Sequence, residues 1–179
     1  GLGCQHVALG RTGIDIAAEL TVGTVQDALI SANAGLMRHE ITMETRDDGR
    51  IVGMKISSRN LRDVAPLRAC RDLVRLHLTC PGFEDAEGIG TLTLEELSIQ
   101  DSDIRDLQPL KHLQLTTLHI ENAPLRELTP LSGMSLTSLS LAGTRVSDLR
   151  VLRGMPLESL NLSGTAVKRL DYLRGLPLR

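Results

Sequence analysis

The chain has 179 residues, a net charge of −2, one Phe, one Tyr and no Trp. Its 20 basic and 22 acidic residues are interspersed, so no basic surplus is present to neutralise phosphates, and the composition argues against a nucleic-acid partner. No apolar run approaches the ~18 residues that a membrane span requires. The three cysteines lack CxxC spacing, and an odd number argues against a disulfide framework.

The first 22 residues carry the weakest signals. Residues 5–9 suggest a short strand and residues 14–20 a short helix. No signal peptide is visible, but the sequence begins with Gly rather than Met. The compartment therefore stays open: secreted or surface-exposed if a targeting segment was removed, and otherwise cytoplasmic.

A helix and a hairpin follow. Apolar residues at helical spacing predict a helix at about 25–34, with Thr24 as N-cap, Asp27 at the capping-box position and Gly35 as the stop. Alternating apolar and polar residues then predict strands at about 39–45 and 51–57. Asp48-Gly49 between them is a strong turn signal, so we expect the two strands to be antiparallel.

From residue 51 onwards the sequence repeats. Six units tile it, at 51–72, 73–93, 94–114, 115–135, 136–156 and 157–177. Positions 1, 4, 6, 11, 14, 17 and 20 of every unit are apolar, in a chain that is only 41% hydrophobic, so chance does not explain the pattern. A fixed period of this size is typical of a solenoid.

The spacing within a unit predicts its local structure. Positions 4 and 6 point to the same face of a strand. Positions 11, 14, 17 and 20 suit a short 3-10 arc whose inward side recurs every third residue. One unit cannot bury its apolar face alone, but stacked units bury it against each other.

The pattern LxxLxLxxTxVxDLxxLxxMP, as in residues 136–156, resembles the leucine-rich repeat, in the short form seen in internalin-like and other bacterial proteins. The resemblance covers about 51–179. It implies an α/β fold: a solenoid with a curved parallel sheet on the concave side, short helical or 3-10 returns on the convex side, and residues 1–50 as an N-terminal cap of helix plus β-hairpin.

The chain departs from this resemblance at repeat position 9, where the side chains of successive repeats form a ladder inside the solenoid. Such repeats usually carry Asn at position 9, where its side chain bonds the backbone. This chain has other residues there, in order Arg59, Pro81, Ser102, Ala123, Thr144 and Thr165. Thr and Ser can supply part of that bonding, whereas Pro and Ala cannot. We therefore expect the second repeat to be locally irregular at residues 80–83.

The resemblance implies that a partner protein binds the concave face, at positions 3, 5 and 7. The first four strands present charged and amide side chains there, whereas the last two present Ser, Ala and Asn. The predicted protein-binding residues are Arg75, His77, Glu96, Gln100, His119 and Glu121. The alternative is a solvated polar face in which Arg75 and Glu96 form a weak ion pair across adjacent strands. Carboxylates recurring at position 13, on the convex side, favour a structural role such as bonding a turn amide.

The sequence predicts no enzyme, cofactor or metal site. The phosphate-loop, dinucleotide, nucleophile-elbow and zinc-protease motifs do not occur in it. His77 and His119 lie two strands apart, about 9–10 Å, which is too far to share one zinc ion. Two other functions stay open: a regulatory or spacer segment of a larger bacterial protein, such as a serine/threonine kinase, and an enzyme that uses the first 22 residues.

The last predicted strand, at about 158–163, leaves an edge and an apolar layer uncovered. Exposed strand edges pair readily, and repeat arrays need polar caps. We therefore expect either further repeats or a homodimer at this edge.

Overall fold

The computed structural model describes residues 21–179. The short strand and helix suggested for residues 5–9 and 14–20 lie outside them. The described chain begins with helix α1 (Val22–Ala32) and continues as a sheet of seven strands in sequence order. The strands are β1 (Ile41–Thr45), β2 (Ile51–Ser57), β3 (Arg75–Thr79), β4 (Glu96–Gln100), β5 (Thr117–Glu121), β6 (Ser138–Ser140) and β7 (Ser159–Asn161).

The sheet combines one hairpin with a parallel array. Strand β1 pairs antiparallel with β2, and every later pair is parallel and in register with the repeat. A 3-10 turn follows each of β2 to β7 and returns the chain to the next strand or to the end of the array. The predicted solenoid with its helix and hairpin cap is confirmed. Strand β7 is shorter than the predicted 158–163.

Helix α1 begins a turn earlier than its sequence pattern indicated. Thr21 is the N-cap, and its hydroxyl accepts a hydrogen bond from the Thr24 amide at 3.2 Å while the Thr24 hydroxyl accepts one from the Thr21 amide at 2.9 Å. The prediction of Thr24 as N-cap was wrong because a Thr at each end of this box satisfies two amides at once. Asp27, predicted to belong to the box, instead forms an ion pair with Arg38.

One buried amide joins the helix to the first repeat. Asn33 is 2% exposed and follows the last residue of α1. Its Nδ2 donates to the carbonyls of Leu29 and Asp63 at 2.9 and 2.8 Å, and its Oδ1 accepts from the amides of Arg62 and Asp63 at 2.7 and 2.8 Å. The whole hydrogen-bonding capacity of this side chain is therefore used across the boundary between cap and array.

The interior ladder shifts by one position along the array. In the third to sixth repeats the inward side chain after the strand is at position 9, as in Ser102 and Thr144, each under 5% exposed. In the first two repeats it is at position 8, at Ser58 and Cys80, so the prediction for position 9 was wrong there.

The backbone at position 8 explains the shift. In the third to sixth repeats it is left-handed, with φ of 52° at Asp101 and Asn122 and 69° at Gly143 and Gly164. Asp, Asn and Gly tolerate this conformation best. In the second repeat the left-handed residue is Gly82, with φ of 80°, and the Phe83 amide bonds the Cys80 carbonyl at 3.0 Å. The expected irregularity at residues 80–83 is thus a different turn with the same number of residues.

The aspartates at position 13 cap the 3-10 turns. A carboxylate oxygen accepts a hydrogen bond from the amide two residues later, at 2.7 to 2.9 Å, in Asp63, Asp85, Asp106 and Asp148. For Asp63, Asp106 and Asp148 this amide is the first of the 3-10 turn, where no backbone partner is available, whereas the amide that Asp85 bonds lies two residues before its turn. The predicted structural role of this column is confirmed for the aspartates.

Candidate functional site

The candidate site is the face of the sheet that carries repeat positions 3, 5 and 7, which we call the open face. Positions 4 and 6 of the same strands point into the core, where Leu76 and Leu97 are fully buried. Because strand side chains alternate, the polar residues between them lie on the opposite side. The parallel register then lines up equal positions of neighbouring repeats, so that Arg75 is opposite Glu96 and His77 is opposite Ser98.

The structure brings the six predicted residues together on β3, β4 and β5. Arg75, His77, Glu96, Gln100, His119 and Glu121 are all half-buried on the open face. They are not a layer of freely solvated side chains, since most of them bond to one another or to neighbouring strands.

The ion pair between Arg75 and Glu96, which belonged to the alternative interpretation of this face, does not form. The Arg75 guanidinium Nη2 lies 2.6 Å from Oε2 of Glu44, which extends from the hairpin strand β1. This hydrogen bond and charge raise the pKa of Arg75 above its ordinary value, so the guanidinium stays charged.

Glu44 reaches Arg75 across an empty position in the strand between them. Gly53 of β2 pairs with Glu44 on one side and with Arg75 on the other. A Cβ on Gly53 would lie 2.6 Å from Oε2 of Glu44, so any side chain there would displace the carboxylate. Sequence reasoning missed Glu44, although the hairpin register opposite a glycine was a usable signal.

Glu96 is engaged by a histidine instead. Nε2 of His77 lies 3.2 Å from Oε1 of Glu96, with both side chains between one third and one half exposed. Glu44 with Arg75 and Glu96 with His77 therefore form two separate pairs, side by side on the open face.

Glu121 is the centre of a third group. Its Oε2 accepts a hydrogen bond from Nε2 of Gln100 at 3.1 Å, and its Oε1 accepts one from the Ser140 hydroxyl. Nearby, Nε2 of His119 lies 3.3 Å from Oγ of Ser138. The two serines of β6, which are not among the predicted binding residues, thus hold two of those residues in place.

Among the described residues, the structure shows no hydrogen bond between Ser98 and the two histidines beside it. Ser98 is 5% exposed and lies between His77 and His119 in the sheet. The ring nitrogens described above face Glu96 and Ser138 rather than the Ser98 hydroxyl. Within residues 21–179, no group of three or more His, Cys, Asp or Glu is placed to hold a metal ion.

A shallow groove lies elsewhere, along the turns that follow β4, β5 and β6. It encloses about 400 Å³ and is bordered by the side chains of Arg105, Asn122 and Arg145. The predicted binding residues do not line it. In the described part of the chain, no helix combines the length and apolarity that crossing a membrane requires.

Comparison with known proteins supports the fold. Neither a family model nor a curated protein matches the chain. Among solved structures, an internalin of Listeria monocytogenes matches with a TM-score of 0.56 and 23% identity over 70% of this chain and 46% of its own. Internalin C2 of the same species matches with a TM-score of 0.55 and 22% identity over 76% of this chain and 75% of its own.

These likenesses describe the architecture. The chain spans less than half the length of the first of these internalins. At this level of identity the comparison shows the internalin-like leucine-rich-repeat solenoid that the sequence pattern predicted. It leaves the partner and the binding face to be argued from the residues themselves.

Proposed function

We propose that this chain is a protein-binding scaffold that captures another protein on the open face, with Arg75, His77, Glu96, Gln100, His119 and Glu121 as its contact residues. The observation that carries the proposal is their arrangement. Six half-buried polar side chains from three adjacent strands are gathered on a single surface, and most are held by hydrogen bonds.

Preorganisation is what makes this surface suitable for binding. A side chain that is already fixed loses little rotamer freedom when a partner docks, so less of the interaction energy is spent on ordering. The rigid strands beneath the contact residues add to this effect, because sites built on regular elements are positioned more precisely than sites on loops. The leucine-rich-repeat fold supports the same role as a scaffold.

Partner capture tests the proposal. The immobilised chain would be compared with a variant in which Arg75, His77, Glu96 and His119 are all alanine, and bound proteins from a cell extract would be quantified by mass spectrometry. We expect the variant to lose the proteins that the unmodified chain enriches, since charged and hydrogen-bonded contacts at an interface are costly to remove.

A matched control replaces four exposed polar residues away from the open face, Arg105, Lys111, Arg126 and Glu127, with alanine. This variant should retain capture, and thermal unfolding would verify that both variants are folded. Undiminished capture by the open-face variant, or equal loss in the two variants, would contradict the proposal.

A further inference from the structure

The carboxylates of the open face differ in the side chains that contact them. Glu44 has the Arg75 guanidinium at 2.6 Å, and Glu96 has the His77 ring at 3.2 Å. Glu121 accepts its bonds from the Gln100 amide and the Ser140 hydroxyl, which are uncharged donors. Among the ion pairs of residues 21–179, none includes Glu121.

The two uncharged donors orient Glu121 without saturating it. Each carboxylate oxygen offers about two acceptor sites, and each has one protein donor. One acceptor site on each oxygen is therefore left for another donor. The parallel N–H groups of an arginine guanidinium fit both carboxylate oxygens at once, whereas a lysine ammonium would bind one of the two oxygens.

The opposite charge lies at the other end of the same surface. Lys55 is exposed at position 5 of β2, and the ion pairs found in the described residues do not include it. Strands β2 and β5 are three steps apart in the sheet. At about 4.8 Å per step, Lys55 and Glu121 are separated by roughly 14 Å across the strands, and the two-residue offset between positions 5 and 7 adds about 7 Å along them.

The net charge of the repeats also changes from positive to negative between the first repeat and the next two. The first repeat, 51–72, has five basic and two acidic residues, whereas the second and third, 73–114, have three basic and eight acidic ones. Complementary potentials of this kind steer a partner and fix its orientation more than they add affinity. The fourth repeat, 115–135, which carries Glu121, has one basic and two acidic residues, so the repeats of Lys55 and Glu121 differ in the sign of their net charge.

We propose that the open face recognises a bipolar segment of the partner protein, in which an arginine or lysine binds Glu121 and an acidic residue binds Lys55. This inference rests on the proposed function and specifies the chemistry of the partner. The resulting separation of roughly 16 Å corresponds to between four and five residue steps of an extended segment, and the long charged side chains span the difference, so two charged residues four apart in its sequence fit the pair.

A charged peptide tests the pairing without knowledge of the natural partner. The probe is an acetylated and amidated pentapeptide of serine with arginine at one end and glutamate at the other, made in both orders. A peptide with glutamine at both ends is the neutral control. Binding is followed by the backbone amide shifts of the isotopically labelled chain at low salt.

We expect the charged probe to shift amides of β2 and β5, and the neutral peptide to leave them in place. Glu121→Gln and Lys55→Gln should each weaken binding about fivefold, the effect of losing one partly exposed ion pair. The matched controls Glu127→Gln and Lys111→Gln remove the same charges from outside the open face and should bind as the unmodified chain does.

Two outcomes overturn the pairing: equal effects of the open-face and control variants, and probe-induced shifts confined to residues away from β2 and β5. Either would leave the scaffold proposal standing, because the capture experiment with the fourfold alanine variant tests that separately.

Discussion

Asn33 shows how much a single side chain contributes to this fold. It is buried at the junction between α1 and the first repeat, and four hydrogen bonds connect it to backbone on both sides. Its replacement leaves donors and acceptors of both elements without partners. A buried donor or acceptor that lacks a partner costs more free energy than a formed hydrogen bond contributes. Substitution of Asn33 should therefore destabilise the fold more than the small side chain suggests.

We expect Asn33→Ala to lower the free energy of unfolding by about 3 kcal/mol, because the Arg62 and Asp63 amides lose their acceptor inside the structure. Equilibrium unfolding in urea measures the change. Asn161→Ala is the matched control, since Asn161 is exposed and its side chain accepts one bond, from the Ser163 amide at 3.0 Å. It should cost under about 1 kcal/mol. Equal losses in both variants would rule out a special role for Asn33.

The pairing of Glu44 with Arg75 marks a limit of sequence reasoning at this scale. The alternation of strands predicted that Arg75 lies on the open face, and the structure agrees. It did not predict which carboxylate Arg75 would bind, because Glu96 is its neighbour in the register whereas Glu44 is two strands away. The deciding residue is Gly53, whose missing side chain lets Glu44 pass over β2. A sequence predicts on which face of the sheet a residue lies more readily than whether its side chain extends over a glycine to a strand beyond the next one.

Among the repeated elements, the 3-10 turns provide an internal comparison. The turn after β4, Gln108–Leu110, is preceded by Asp106, whose carboxylate accepts a hydrogen bond from the Gln108 amide at 2.8 Å. The corresponding residue after β5 is Glu127, and the hydrogen bonds described for its side chain and for the Thr129 amide include no such contact. The extra methylene of glutamate places its oxygens too far out for the short local ring that aspartate closes.

We therefore expect Glu127→Asp to stabilise the chain by about 0.5 kcal/mol and Asp106→Ala to destabilise it by about 1 kcal/mol, as for a helix N-cap. Asp106→Asn keeps the acceptor and should cost less than Asp106→Ala. Glu127→Ala is the control and should stay within about 0.5 kcal/mol of the unmodified chain. Thermal unfolding of the four variants checks the order. Destabilisation by Glu127→Asp would show that the turn after β5 does not accept this cap.

The period of the sequence predicted the elements well because a solenoid depends on local, repeated constraints. Strands β2 to β6 and the buried positions follow directly from the spacing of Leu, Ile and Val. The start of the helix was less predictable, and so was the change of the inward side chain from position 8 to position 9. Each depends on a turn that several sequences can form. Asp101 and Asn122 adopt the same left-handed conformation as Gly143, whereas Ser58 and Cys80 do not, and the consensus alone does not separate these groups.

In the molecule as a whole, burial decreases at the last repeat. The apolar positions of the fifth repeat, such as Leu141 and Leu152, are fully buried between two neighbours. Their counterparts in the sixth, Leu162 and Leu173, are only half-buried. Each repeat in a solenoid is stabilised by its own contacts and by its interfaces with adjacent repeats, so a repeat with one neighbour contributes less. Equivalent positions in the fifth and sixth repeats should therefore contribute different amounts to the free energy of unfolding.

Leu149 and Leu170 test this dependence, because both occupy position 14 and differ chiefly in stacking. Leu149 is 1% exposed and Leu170 is 59% exposed. Removal of a buried leucine side chain loses its transfer free energy and leaves a cavity, so Leu149→Ala should cost about 3 kcal/mol. Leu170→Ala should cost under about 1 kcal/mol, since most of its surface is already in contact with water. Urea unfolding gives both values, and Leu128→Ala, which removes a side chain that is 3% exposed, should match Leu149→Ala. If Leu170→Ala costs as much as Leu149→Ala, the sixth repeat is covered in solution, and its apolar end is then an interface rather than a free surface.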